Sequence, residues 1–266
     1  MRKAIFFDID GTLIDCVNGL TDMTPKVKEA IRSLQDKGHY IFISTGRPYA
    51  FLSQAILDFG FDGFILTNGA QVMMGNETIY KEPLDREFVK TAVEQFEAFN
   101  IQYMLQGERY SYMKHSHQEF YALFEQLGIS KRYLKGDYHL EDIETQKIEM
   151  LCPDDAAVEF CLSLINNNPD YDHFHSLHEK SFELYAKKNT KATAILTTLK
   201  HLGIPVENSY AFGDGKNDIE MLSTVGCGIA MGNASDEVKQ YAKEITESVH
   251  HDGVAVGIEK YVLCSC

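Results

Sequence analysis

Ala4 to Phe7 is a continuous apolar run, the pattern of a strand buried on both faces. Thr24-Pro25 then predicts a helix start, with threonine as N-cap and proline in the first turn. Val27, Ala30, Ile31 and Leu34 form an i, i+3, i+4, i+7 stripe, and Gly38 closes the helix. Tyr40 to Ser44 reads as a second strand and Gly63 to Thr67 as a third. Between them Phe51 to Phe59 reads as a helix with Leu52, Ala55, Ile56 and Phe59 on one face. This alternation of strands and helices implies a parallel sheet with right-handed crossovers.

The middle of the chain follows a different rule. A helix is expected over Arg86 to Phe99, with Phe88, Val89, Ala92, Val93 and Phe96 inward. Another is expected from Glu119 to Leu127, ending at Gly128. Gln146 to Cys152 reads as a strand, Asp155 to Ile165 as a helix, and His173 to Tyr185 as a hairpin interrupted at His178 to Ser181. Strands and helices do not alternate simply here, which marks an α+β region. The last third returns to the first pattern. Thr190 caps a helix carrying Ala194, Ile195, Leu199 and Leu202, which ends at Gly203. A strand over Ser209 to Gly213 follows, then a short helix over Asp218 to Val225 and strands at Cys227 to Met231 and Glu244 to Thr246. The economical architecture is an α/β, Rossmann-like parallel-sheet core, residues 1–83 and 185–266, split by an inserted α+β domain over 84–184.

Composition narrows the function without naming it. The 266 residues carry a formal net charge of −14, which argues against a nucleic-acid partner, since phosphate contacts need a basic footprint. No apolar run is long enough to span a membrane, and MRKAIFF runs straight into acidic residues rather than into a signal peptide. A cytoplasmic protein with no membrane partner is the expectation, as a monomer or weak homodimer. The six cysteines, Cys16, Cys152, Cys161, Cys227, Cys264 and Cys266, match no zinc framework and read as reduced bystanders.

The chemistry is concentrated behind the core strands. In open parallel sheets ligands bind beyond the carboxyl ends of the strands. Asp8 and Asp10 follow the first strand; Ser44, Thr45, Gly46 and Arg47 follow the second; Asn68 and Gly69 follow the third; Asp214, Gly215, Asn217 and Asp218 follow the fourth. Asp8, Asp10 and Asp214 crowded together would repel one another unless a cation sat among them, and Mg²⁺ is the first choice for oxygen ligands. Lys191, at the start of a helix, adds a fixed positive charge. Metal, lysine, hydroxyl and backbone N–H groups together suit a phosphoryl group. One carboxylate can act as nucleophile, and a second can move protons. A calcium loop from Asp8 fails, because its sixth and twelfth positions are Leu13 and Gly19. His173, His175 and His178 invite a metal reading, but His173 and His175 would share a strand face with no matching third ligand at zinc spacing.

Four segments in order, FFDIDGTL, ISTGRP, ELYAKKNTKATAI and AFGDGKNDIEML, resemble the motifs of the haloacid dehalogenase-like superfamily, and most closely its Cof-type phosphatases. GIAMGNASDEVKQYA and DGVA resemble the same subgroup. The resemblance implies Asp8 as nucleophile, Asp10 as acid/base, and Lys191 as stabiliser of the phosphoryl charge. It implies Mg²⁺ held by the Asp8 carboxylate, the Asp10 carbonyl and Asp214. Gly11, Thr45, Gly46 and Asn217 would contact the phosphoryl group, with Ser44 a lesser candidate to Thr45. Thr12 would shape the loop with Gly11, Asp218 would support Lys191 or the metal shell, and Arg47 and Asn68 would face the substrate side. The inserted domain would be a cap that excludes water. Two positions depart from the pattern: Ala192 stands where glycine is frequent, and Ala186 where proline is common. The implied function is a Mg²⁺-dependent phosphomonoester hydrolase of small phosphorylated metabolites such as sugar phosphates, acting through an aspartyl phosphate. A phosphomutase on the same core and a non-enzymatic phospho-acceptor module are the alternatives. Asp10 weighs against the second, because a module that only stores phosphate gains little from an acid/base there.

Overall fold

The structure, a computed structural model, describes residues 2–126, 129–175 and 180–264. They divide into two compact units. The first comprises Met1–Gly46, Ala55–Tyr80 and Thr190–Cys266; the second comprises Arg47–Gln54 and Lys81–Asn189. The division therefore falls after Tyr80 and Asn189, and a short segment beginning at Arg47 clusters with the second unit.

The chain enters on β1 (Ala4–Phe7), α1 (Pro25–Asp36) and β2 (Tyr40–Ser44). The apolar stripe of α1 is buried as its spacing requires, and the Thr24 side chain accepts from the Val27 N–H. The helix expected over Phe51 to Phe59 is shorter and broken. A 3₁₀ turn covers Tyr49–Phe51, Leu52 is extended, and α2 spans only Gln54–Asp58. The apolar residues serve two different units: Phe51 packs edge-on against Phe124 in the second, and Phe59 packs against Phe61 in the first. After β3 (Gly63–Leu66) the chain reverses through Thr67 and Asn68, both at positive φ, into β4 (Gln71–Met74) and β5 (Glu77–Lys81). This reversal was not read from the sequence, where Asn68-Gly69 looked like the end of an element.

The second unit holds α3 (Arg86–Ala98), β6 (Gln102–Gln106), β7 (Ser111–Tyr112), α4 (Gln118–Gln126), β8 (Leu134–Lys135), β9 (Lys147–Leu151), α5 (Asp155–Asn166), β10 (Tyr171–His175) and β11 (Ser181–Ala186). Its sheet runs β10-β11-β9-β6-β7-β8. Val89, Ala92, Val93 and Phe96 of α3 and Ala157, Cys161 and Ile165 of α5 bury one face of it against Ile148, Met150, Phe182 and Leu184. Leu127, Gly128 and His178, which entered the sequence reading, lie outside the described residues.

The first unit resumes with α6 (Lys191–Leu202), β12 (Ser209–Gly213), α7 (Ile219–Thr224), β13 (Cys227–Ala230), α8 (Asp236–Lys239), β14 (Glu244–Ile245) and α9 (Gly253–Gly257). Its sheet runs β14-β13-β12-β1-β2-β3-β4-β5. The pairs from β14 to β3 are parallel, and β4 returns antiparallel to β3. The fold is α/β, and β1 lies between β2 and β12 with its apolar residues fully buried. Among the described residues no helix is long and apolar enough to cross a membrane. Cys16, Cys152, Cys161, Cys227 and Cys264 are all free.

Candidate functional site

The period-2 alternation of β1 decides where Asp8 points. Ala4 and Phe6 pack in one cluster with Ala194 and Ile195 of α6, and Asp8 continues that face. Lys191 is the first residue of α6, so nucleophile candidate and lysine emerge on the same side of the sheet. The start of α6 is fixed by Thr190, whose side chain accepts from the Thr193 N–H in a capping box. Gly69 lets the β3–β4 reversal pass close by, since a Cβ there would lie 2.2 Å from the Thr190 carbonyl oxygen.

Lys191 Nζ donates to Asp8 Oδ1 and to Asp218 Oδ1, each at 2.6 Å. The lysine side chain is 0% exposed, Asp8 8% and Asp218 0%. A cation in the first turn of a helix runs against the helix dipole, so the two carboxylates must hold it there. Burial alone would lower the lysine, but Asp218 and Asp8 together keep it above its ordinary value and charged. Asp218 is fully engaged: its Oδ2 accepts from the backbone N–H groups of Asp214 and Gly215, both at 2.9 Å.

Asp214 completes an acidic cluster. Oxygens of Asp8, Asp214 and Asp218 lie within 4.8 Å of one another. Burial pushes the Asp8 carboxyl well above the usual range; Lys191 opposes this, while Asp218, Asp10 and Asp214 add to it. Burial, then the charge of Asp218, pushes Asp214 up to about 6. Thr12 Oγ1 donates to Asp214 Oδ1 at 3.0 Å. Gly11 sits at φ +83°, and a Cβ there would lie 2.1 Å from Asp214 Oδ2, so only glycine lets the loop after β1 approach so closely.

The other sequence candidates distribute unevenly. Asp10 is exposed and its backbone bridges to Ile14, outside the three-carboxylate cluster. Ser44 and Thr45 are buried at the end of β2, and Gly46 follows them. The Ser44 hydroxyl is buried without a hydrogen-bond partner among the described residues. Asn217 Nδ2 donates to Asn68 Oδ1 at 3.0 Å, which joins the loops after β12 and β3. Arg47 belongs to the second unit, where its guanidinium donates to the Phe51 carbonyl at 3.2 Å. His173 lies on β10 beside Asp172. Asn233 was not singled out, although it stands within the quoted GIAMGNASDEVKQYA segment. Its Nδ2 donates to the Gly11 carbonyl at 2.8 Å and to Asp214 Oδ2 at 3.2 Å. A glycine-asparagine pair just beyond a core strand was the available signal.

Comparisons with known proteins agree with this arrangement. Residues 5–258 match the family model of haloacid dehalogenase-like hydrolases. The chain is 30% identical over 264 residues to the Bacillus subtilis protein YkrA, covering 97% of each. It is also 30% identical over 265 residues to the Bacillus subtilis 5-amino-6-(5-phospho-D-ribitylamino)uracil phosphatase YcsE, covering 98% of this chain and 96% of that one. A crystal structure from Geobacillus kaustophilus superposes with a TM-score of 0.87 at 31% identity, over 99% of this chain and 100% of the other. The subclass IIB sugar phosphatase BT4131 superposes with a TM-score of 0.81 at 26% identity, over 98% of this chain and 100% of the other. With motif-bearing loops, fold and relatives in agreement, the chain belongs to the haloacid dehalogenase-like hydrolases and falls among that family's phosphatases.

Proposed function

We propose that this protein hydrolyses phosphomonoesters of small polyhydroxylated metabolites, with Asp8 as the nucleophile and Mg²⁺ as cofactor. The observation that carries the reading is the buried Lys191, held by Asp8 and Asp218 with Asp214 beside them. Three carboxylates face one ammonium, so the cluster holds surplus negative charge in a desolvated place. A hard divalent cation fits such an oxygen donor set and would restore the ionised form of Asp8 that a nucleophile needs. Asp8 and Asp214 would hold it, with the Asp10 carbonyl; Asp218 is already engaged by Lys191 and two backbone N–H groups. When bound, the ion supplies charge neutralisation at the phosphoryl oxygens.

The residues of the chain then divide the work. Asp8 attacks phosphorus while the ester oxygen leaves with a proton from Asp10, giving an aspartyl phosphate and a free alcohol. Asp10, now ionised, takes a proton from water, and the resulting hydroxide attacks the aspartyl phosphate, returning Asp8 and releasing phosphate. Lys191 counters the charge on Asp8 and on the phosphoryl oxygens, with Asp218 fixing its direction. Thr45, Gly46 and Asn217 are the candidates for the remaining phosphoryl contacts, with Ser44 beside Thr45.

Two relatives support the proposed substrate class. The name of one specifies a phosphorylated ribityl chain and that of another a sugar phosphate. Both describe a phosphomonoester on a polyhydroxylated carbon skeleton. The test is phosphate release from an aryl phosphate and from a panel of sugar and polyol phosphates, with Mg²⁺ and with chelator. Metal-dependent release that disappears in Asp8→Asn supports the reading; release that persists in that variant sinks it.

A further inference from the structure

Asn233 is solvent-exposed, yet three loops of the first unit meet on its side-chain amide. Its Nδ2 donates to the Gly11 carbonyl at 2.8 Å and to Asp214 Oδ2 at 3.2 Å, while its Oδ1 accepts from the Val249 N–H at 2.9 Å. The Val249 bond decides which way the amide faces. Rotated by half a turn, the amide would set its oxygen against two other oxygens and its nitrogen against an N–H. The other oxygen of Asp214 is held by Thr12 Oγ1 at 3.0 Å. Each Asp214 oxygen therefore has one fixed donor and keeps lone-pair capacity for a further partner.

We propose that Asn233 is a positioning residue: its amide, oriented by the Val249 N–H, holds the Asp214 carboxylate and the Gly11 loop in the setting that binds the divalent cation. The inference rests on the assignment of Asp8 and Asp214 as ligands of that ion. Its physical basis is preorganisation. A carboxylate already fixed by neutral donors loses little freedom when an ion arrives, and an N–H facing it supports its ionised form. By also holding the Gly11 carbonyl, the same amide sets the spacing between the loop that carries Asp8 and the loop that carries Asp214.

The experiment is calorimetric titration of Mg²⁺ alone, without substrate, into wild type, Asn233→Ala and Val249→Pro, with far-UV circular dichroism to count folded protein. Val249 opens a 3₁₀ turn after an extended Ser248, a place where proline fits and mainly removes the N–H. Asn233→Ala is expected to weaken Mg²⁺ binding by roughly 10-fold or more, the usual effect of losing a partner that orients a metal ligand. Val249→Pro is expected to weaken it in the same direction by less. The Mg²⁺ concentration for half-maximal phosphatase activity should rise in parallel, with kcat recovering at saturating metal. Unchanged Mg²⁺ affinity in folded Asn233→Ala, with only a lowered melting temperature, would overturn the proposal and leave a purely structural asparagine. If Asn233→Ala does not fold, unchanged affinity in Val249→Pro overturns it equally. Wild type that neither binds Mg²⁺ nor releases phosphate would instead bring down the functional reading on which the proposal rests.

Discussion

Each unit of this protein buries a lysine between two carboxylates, and the two clusters handle their surplus negative charge differently. In the first unit Lys191 meets Asp8 and Asp218, both at 2.6 Å, with Asp214 close by. In the second, Lys147 lies 2.7 Å from Glu183 and 4.0 Å from Glu149, with Gln106 donating to Glu149. Lys191 stands at the end of a strand layer, where loops converge; Lys147 begins β9 within a sheet face. Burial, opposed by Lys147 and reinforced by Glu183, pushes Glu149 up to about 7, so a proton can relieve the surplus there. In the first unit the proposed relief is a metal ion. A buried lysine-carboxylate group is therefore no sign of catalysis in itself. What distinguishes the first cluster is that glycine-flanked loops from separate strands converge on it.

Four tests sharpen or break that contrast. The largest effect is expected from Asp8→Asn, which should reduce phosphate release to background while the chelator-treated protein melts no earlier than wild type, because one negative charge leaves a surplus. An early melt in chelator would show that Asp8 stabilises the fold rather than serving chemistry. Lys191→Met strands two buried carboxylates and should cost about 3–5 kcal/mol by denaturant unfolding. Lys147→Met should cost less, about 1–3 kcal/mol, because Glu183 is 24% exposed and water screens it. Equal costs would mean that the two clusters are electrostatically alike.

The third test is pH. The folded pKa of Glu149 lies above its ordinary value of 4.5, at about 7, so the native state binds more protons than the unfolded chain between those values. Stability from this group is thus present at low pH and lost as pH rises through that window. Glu149→Gln should flatten the loss and be the more stable protein at pH 8, by on the order of 1 kcal/mol. A variant less stable than wild type at pH 8 would show that Glu149 is ionised and well paired. The smallest effect is expected from Thr190→Ala, which removes the cap of α6 and should cost about 1 kcal/mol. Because Lys191 is the next residue, kcat should fall more than stability does; a fall in melting temperature with kcat intact would separate the cap from the lysine.

Local rules were legible where short-range physics decides them. The Thr24 and Thr190 caps, the α1 stripe and the buried β1 run follow from spacing alone. The Phe51 to Phe59 segment shows the limit, for its apolar residues serve two different surroundings, and the helix shrinks to Gln54–Asp58 with Ile56 buried and Ala55 exposed. The β3–β4 reversal was hidden because Thr67 and Asn68 adopt positive φ, which a period count does not register. Two-residue strands such as β7 and β8 exist through their pairing and carry little signal of their own.

By itself the sequence determined the periodicities, the caps, and the presence of Asp8, Asp10, Lys191 and Asp214 in motifs that resemble one family. Those properties lie within a few residues of one another, or in the identity of the residues themselves. Only the tertiary structure decided that Asp218 is consumed by Lys191 and two backbone N–H groups, and that Asn233 reaches both Gly11 and Asp214. It also decided that Lys147 is buried against Glu183 in the second unit, as Lys191 is against Asp8 and Asp218 in the first. The physical reason is reach. Lys191 and Asp8 are separated by 183 positions, as Asn233 and Gly11 are by 222, and partners so distant are chosen by strand order and register rather than by neighbouring residues.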